Sequence, residues 1–136
     1  MSHRVFALII ENDLHPMDSL KEALRDISVS ALSVGTCEEA MRLLAQTEPH
    51  MIFTTTSVAD GSWLDVIVLA EKSGVPSNVI VVAETSDVKL YLSTIEGGAF
   101  DFMVPPFERD PLGHVVRAAW LDVQRRRDAL ARLAEI

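Results

Sequence analysis

Six consecutive apolar residues, Val5-Phe6-Ala7-Leu8-Ile9-Ile10, stand between Arg4 and the polar triplet Glu11-Asn12-Asp13. A strand with one wet face alternates apolar and polar residues. An unbroken run of strand length marks a strand covered on both faces, the habit of parallel sheets. Parallel neighbours cannot be joined by a tight hairpin, so each strand needs a crossover, usually a helix. Four further short runs follow, at Val29–Val34, Met51–Thr55, Val79–Ala83 and Phe100–Val104. The first of these alternates apolar with small polar residues, which suits a strand near the sheet edge.

The intervals between the runs read as helices. From Asp18, the residues Leu20, Ala23, Leu24 and Ile27 fall at helical spacing. Thr36 and Glu39 form a Thr-x-x-Glu capping box ahead of Ala40, Leu43 and Leu44, and Pro49 lies past the end of that helix. A loop over Ser57–Ser62 with the turn pair Asp60-Gly61 leads to a third helix, Trp63 to Lys72, stopped by Gly74 and Pro76. Ser86 or Asp87 can cap a fourth helix that ends before Gly97-Gly98. Asp110 as N-cap, with Pro111 at the first helical position, opens a fifth.

Five such alternations make an α/β domain, a parallel doubly wound (βα)5 sheet with helices on both faces. At 136 residues, 49% of them hydrophobic, the chain suits one domain burying roughly two-thirds of its unfolded surface. No apolar run is long enough to span a membrane and no signal peptide is visible. Cys37 is the only cysteine, so no internal disulfide is expected; it reads as a half-buried helix residue of a cytoplasmic protein. A net charge of −8 repels a phosphate backbone, which argues against nucleic-acid binding by the domain itself. The cluster Arg125-Arg126-Arg127 reads as a solvated helix face. His3, His15, His50 and His114 lack metal-ligand spacing, so no metal site is read from them, and no cofactor is implied.

A doubly wound sheet places its functional crevice outside the carboxyl ends of its strands. Those ends are Glu11–Asp13, Thr55–Ser57, Ala83–Thr85 and Pro105-Pro106. There the sequence resembles the receiver domains of response regulators. Ala7 to Asp13 resembles the family's opening strand and acidic pair, and Pro49 to Thr55 the strand that ends in its phosphoacceptor aspartate. Asp60-Gly61-Ser62 matches a common loop, and Gly98-Ala99-Phe100-Asp101-Phe102-Met103-Val104-Pro105-Pro106-Phe107 resembles the Gly-Ala-Asp-Asp-Tyr-Leu-Val-Lys-Pro-Phe block. The resemblance runs from about Val5 to Val123 and implies strand order 2-1-3-4-5.

In that family two adjacent acids hold Mg²⁺, an aspartate accepts the phosphoryl group, and a Thr or Ser and a Lys bind its oxygens. The resemblance puts Glu11 and Asn12 at the acidic pair, Thr55 at the acceptor, Ala83 and Phe102 at the switch positions, and Pro105 at the lysine. Mg²⁺ favours carboxylates. A threonine hydroxyl cannot form a labile mixed anhydride, Ala83 offers no hydrogen bond, and Pro105 offers neither cation nor N–H. Glu11 and Glu84 would repel an incoming phosphate. Asp13 and Asp60 are poor substitutes, since Asp13 follows the acid pair and Asp60 serves a turn. With the switch hydroxyl gone, Phe102 is expected to keep one rotamer, and the Pro105–Pro106 bond is expected to be cis, as the family's lysine–proline bond typically is.

The reading is therefore a phosphorylation-independent signalling module of a two-component or phosphorelay pathway, not an enzyme. It would act through protein contact at the fourth helix, fifth strand and fifth helix, with Asp101, Val116, Trp120 and Val123 on the partner face. Residues 1–124 form the receiver-like domain and 125–136 extend the last helix, either as a linker to an effector domain or as a dimerisation helix. Val116, Trp120, Val123, Leu130 and Leu133 approach a heptad seam that Arg127 interrupts, and a homodimer through that face is expected. The alternative is a flavodoxin-like enzyme or ligand-binding domain. It lacks support, because the loop after the first strand is acidic and without glycine.

Overall fold

The computed structural model describes residues 4–14 and 16–135; His3, His15 and Ile136 lie outside the described residues. The elements run β1 (Phe6–Ile10), α1 (Asp18–Asp26), β2 (Ser30–Val34), α2 (Cys37–Thr47), β3 (Met51–Thr55), β4 (Ser57–Val58), β5 (Gly61–Ser62), α3 (Trp63–Lys72), β6 (Asn78–Val82), α4 (Val88–Glu96), β7 (Asp101–Met103) and α5 (Arg109–Ala134). Five parallel strands form one sheet in the order β2-β1-β3-β6-β7. The expected loop at Ser57–Ser62 instead holds the antiparallel pair β4–β5, so the fourth and fifth strands of the sheet are β6 and β7. With that small ribbon set aside, the order is the expected 2-1-3-4-5.

The unbroken apolar runs form the middle of the sheet. Alternate residues point to opposite faces. Ala7, Ile9, Met51, Phe53, Ile80 and Val82 join Leu20 and Leu24 of α1 and Leu112, Val116 and Ala119 of α5 in one cluster. Leu8, Ile10, Ile52, Val79 and Val81 pack on Ala40 and Leu44 of α2 and Val66, Ile67 and Ala70 of α3 in the other. Burying side chains of this size contributes about 1.5–3 kcal/mol each, which makes these two layers the main source of stability. β2 is an edge strand whose first four residues are exposed. The register sets Ile10 beside Val34 and Thr54, and Val82 beside both Thr55 and Met103, so the carboxyl ends of the strands emerge together.

Helix boundaries follow their caps, with one correction. Thr36 Oγ1 accepts the Glu39 N–H, as the capping box predicts. Gly98 adopts φ +108°, and a Cβ on Gly97 would come within 2.7 Å of the Trp63 ring, so both glycines after α4 are required by geometry. In α5 the N-cap is Glu108, not Asp110, and Pro111 sits third in the helix. The first intrahelical bond runs from Leu112 N–H to the Glu108 carbonyl, so the N–H that Pro111 lacks has no duty there.

The fifth helix changes three expectations. Val116 and Val123 are buried in the core and Trp120 packs against it, because α5 lies on the sheet with Leu112, Val116, Ala119, Trp120 and Val123 facing inward. Val116 and Val123 therefore cannot form a partner face, and Trp120 is not carried outward. The arginine cluster is also not uniformly solvated. Arg125 is exposed, but Arg126 donates to Asn78 Oδ1 at 2.6 Å and to Asp122 at 3.1 Å. Arg127 donates to the carbonyls of Glu48, Pro49 and Pro76. Its five-donor fork reaches carbonyls ahead of β3 and β6 and satisfies them. The body of the domain thus holds α5 through Arg127, past the boundary expected at residue 124, and residues 128–135 are exposed.

Near Arg127, His50 Nδ1 accepts the Phe6 N–H at 3.0 Å, and its ring lies 6.5 Å from that of Trp120. Burial, and then the Arg127 charge, lower the His50 pKa below 6.5. A depressed folded-state pKa gives stability that is complete above 6.5 and is lost as pH falls through the folded value. Urea unfolding between pH 8 and 5 is expected to show a loss of stability below pH 6.5 that is smaller in His50→Asn. Identical pH profiles for the two proteins would exclude His50 as the cause.

Candidate functional site

Asn12, Thr55, Ala83 and Pro105 come together at the strand ends and line one cleft of about 650 Å³ with residues that include Met17, Glu84, Asp87, Leu90 and Phe107. Each polar member of that first group is turned to a local task. Asn12 Oδ1 accepts the Leu14 N–H at 2.9 Å, an Asx-type turn after β1. Thr55 Oγ1 donates to the Ser57 carbonyl at 2.8 Å. Thr54, fully buried, donates to the Thr55 carbonyl. The Ala83 N–H donates to the Met103 carbonyl, so its backbone continues the β6–β7 ladder, and its side chain is a methyl group with no polar atom to offer the cleft. The Pro105–Pro106 bond is cis.

Glu11 and Phe102 do not line the cleft. The Glu11 carboxylate is buried, accepting the Met17 N–H at 2.7 Å and an ion pair from Lys21. It therefore holds the approach to α1 down onto the end of β1. Lys21 carried no signal in the sequence beyond being a lysine in the first turn of a helix. Phe102 packs on the second core cluster and meets Tyr91 of α4 edge to face, with centroids 5.9 Å apart and planes at 84°. Asp101 accepts the N–H of Phe102 at 2.7 Å.

Asp60 does more than shape a turn. Its carboxylate accepts the N–H groups of Cys37 at 2.7 Å and Glu38 at 3.1 Å, capping α2 from outside. Those bonds, that from Cys37 foremost, hold its pKa below the usual value. No local motif announces a cap donated from more than 20 residues away. Burial, with Asp60 and Asp65 nearby, pushes the Cys37 thiol up to about 11, which leaves little reactive thiolate at neutral pH. Among the described residues, no group of three or more His, Cys, Asp or Glu side chains could hold a metal ion.

Solved structures of other proteins share this fold. A signal receiver domain from Vibrio parahaemolyticus superposes with TM-score 0.74 at 24% identity, over 98% of this chain and 99% of its own. The signal receiver domain of an HD domain-containing protein from Pseudomonas fluorescens reaches TM-score 0.77 at 16% identity, over 94% and 95%. The chain has the receiver-domain fold. Among curated proteins, the C4-dicarboxylate transport transcriptional regulatory protein DctD of Pseudomonas aeruginosa is 30% identical over 122 residues, covering 87% of this chain. The response regulator protein PilR of the same organism is 24% identical over 113 residues, covering 83%. The names of these relatives and the structural neighbours support the response-regulator receiver family. The chain spans about a quarter of the length of DctD and PilR. No family model matches it.

The Glu11–Lys21 pair ties the end of β1 to α1, with the Glu11 carboxylate buried and Lys21 partly exposed. Removing one partner of a buried pair leaves the other uncompensated. Because Lys21 is partly exposed, Lys21→Met is expected to cost about 1–3 kcal/mol in urea unfolding. Adding Glu11→Gln should recover part of that loss. A neutral Lys21→Met would show that the pair does not hold α1.

Proposed function

We propose that this chain is a receiver-like signalling module of a two-component or phosphorelay pathway, that it works without phosphorylation of its own, and that its output is protein contact. One observation carries the reading. Thr55, Ala83 and Pro105, which the resemblance sets at the family's acceptor, hydroxyl and lysine positions, line one cleft at the strand ends, while Glu11 is committed to Lys21 and Met17. Asn12 is neutral and bonded to its own turn. Residues so engaged do not supply the carboxylate pair that Mg²⁺ favours. No side chain at the acceptor position can form a mixed anhydride. The names of DctD and PilR, a transcriptional regulatory protein and a response regulator, support a regulatory setting over an enzymatic one.

The contact surface we assign is the outer face of α4 beside β7. Val88, Leu92, Tyr91 and Ile95 are exposed there, with Tyr91 resting on Phe102. Because Val116 and Val123 are withdrawn into the core, α5 adds Leu121 and, beyond Arg127, Leu130 and Leu133. Exposed apolar side chains on α4 and α5 fit a protein partner or a second copy of the chain. No helix among the described residues is long and apolar enough to cross a membrane. We place the protein in the cytoplasm on its single free cysteine.

Intact mass after treatment with acetyl phosphate and Mg²⁺ is expected to show no phosphoryl adduct. A stoichiometric adduct removed by hydroxylamine would refute the reading. In light scattering at high micromolar concentration, the chain is expected to have the mass of a dimer that Leu92→Glu or Leu133→Glu reduces to a monomer. A monomeric unmodified chain would exclude the second copy as the partner.

A further inference from the structure

We propose that the open edge of β2 takes up an extended segment of a partner protein in which acidic and apolar residues alternate. The site lies at the sheet edge opposite β7 and does not depend on the chemistry of the strand-end cleft. The two edges of the sheet differ. β7 has three residues and begins with Asp101, the short and charged form that keeps an edge from pairing. β2 has five, Ser30–Val34, with no charge and no proline, and its register with β1 runs without a bulge. That register leaves part of its backbone unused. The Ser30 N–H donates to the Val5 carbonyl, and the Val34 carbonyl accepts the Glu11 N–H. In a parallel ladder the residues bonded to one neighbour alternate with residues that face the other way. Ala31 and Ser33 therefore turn their N–H and C=O groups to the open side, where an added strand would take them.

The two faces of that edge set the side chains the partner needs. Ala31 and Ser33 stand beside Ala7 and Ile9, so their side chains lie on the α1 face of the sheet. There they line a groove of about 490 Å³ with Lys21 and Arg25 of α1. Among the described residues these cations are the only charged members of the lining, in a chain of net charge −8. Asp18, Glu22 and Asp26 of the same helix do not line it, and no residue outside the described set has an acidic side chain. Lys21 is engaged by Glu11 and Asp18, whereas Arg25 is exposed and has no ion pair among the described residues. An acidic side chain lying over the small residues Ala31 and Ser33 would meet Arg25. Leu32 stands beside Leu8 on the other face and is 42% exposed, so the alternate residues of the partner are apolar. A second copy of the chain fits less well. Antiparallel β2–β2 pairing about a two-fold axis keeps both α1 helices on one face and sets cation against cation.

Three end-capped synthetic peptides test the inference: Ser-Glu-Val-Glu-Val-Glu-Ser, its analogue with lysine for each glutamate, and its analogue with Pro-Pro for the central Glu-Val. Each is titrated into the isotope-labelled full chain and followed by amide NMR. The acidic peptide is expected to shift the amides of Ala31 and Ser33, and to slow their exchange with solvent. The amides of Leu32 and Val34, which face β1, should respond less. The lysine peptide should bind about fivefold more weakly, the scale of an exposed charge pair turned from attraction to repulsion, and Arg25→Glu should reverse that order. Ala31→Pro removes an outward N–H and no bond to β1, and should abolish the response at Ser33. If that variant does not fold, Arg25→Glu decides. No response at Ala31 and Ser33 at millimolar peptide, equal binding of the acidic and lysine peptides, or undiminished binding of the Pro-Pro peptide overturns the proposal. Shifts at these amides that grow with protein concentration alone assign the edge to a second copy and overturn the acidic partner.

Discussion

The parallel pairing of β1 with β3 and of β3 with β6 is the constraint from which most of this molecule follows. These three strands are buried on both faces, so a slip of one residue would exchange the two core layers and expose neither set to a suitable partner. Register is therefore held tightly, and with it the positions at which the chain leaves each strand. Asn12, Thr55 and Ala83 meet at one cleft because their strands end in step. Pro105 reaches the same cleft from β7, whose Met103 lies beside Val82. The chemistry of the site can change while the fold stays, since the fold depends on the apolar runs and not on the residues that follow them.

Two cations do structural work at opposite ends of the sheet. At the carboxyl end Lys21 holds Glu11, so the first acidic residue after β1 secures α1 and does not face the cleft. At the amino end Arg127 gathers three carbonyls ahead of β3 and β6. The same guanidinium helps keep the neighbouring His50 neutral, as the Phe6 N–H donated to its Nδ1 requires. In both cases a charge that could have served binding is used to close backbone or carboxylate groups that burial leaves without water.

The last helix joins the body of the domain to its exposed surface. Its inward stripe runs through Val116, Ala119, Trp120 and Val123, continues as Arg127 where the sheet ends, and emerges into solvent at Leu130. Arg127 is thus not an interruption of an apolar seam. It is the residue that suits the point where the seam passes from side-chain packing to exposed carbonyls. A helix clamped there leaves the domain in a fixed direction.

Strand number, strand order, alternation with helices and the convergence of the strand ends were legible in the sequence, because hydrophobic period and capping chemistry are local and Val5–Ile10 admits one burial pattern. That Thr55 and Pro105 stand at the strand ends that line the cleft could be read there too, since the runs that end there are marked by their own composition. The β4–β5 ribbon escaped because strands of two residues have no period. The Asp60 cap on α2, the Lys21 hold on Glu11 and the Arg127 clamp join residues up to 79 positions apart, and nothing in a linear pattern marks such pairs. Val116 and Val123 show the same limit from the other side. Their spacing establishes an apolar stripe, but whether that stripe meets the sheet or a partner was decided only by which face of α5 the completed sheet has room to bury.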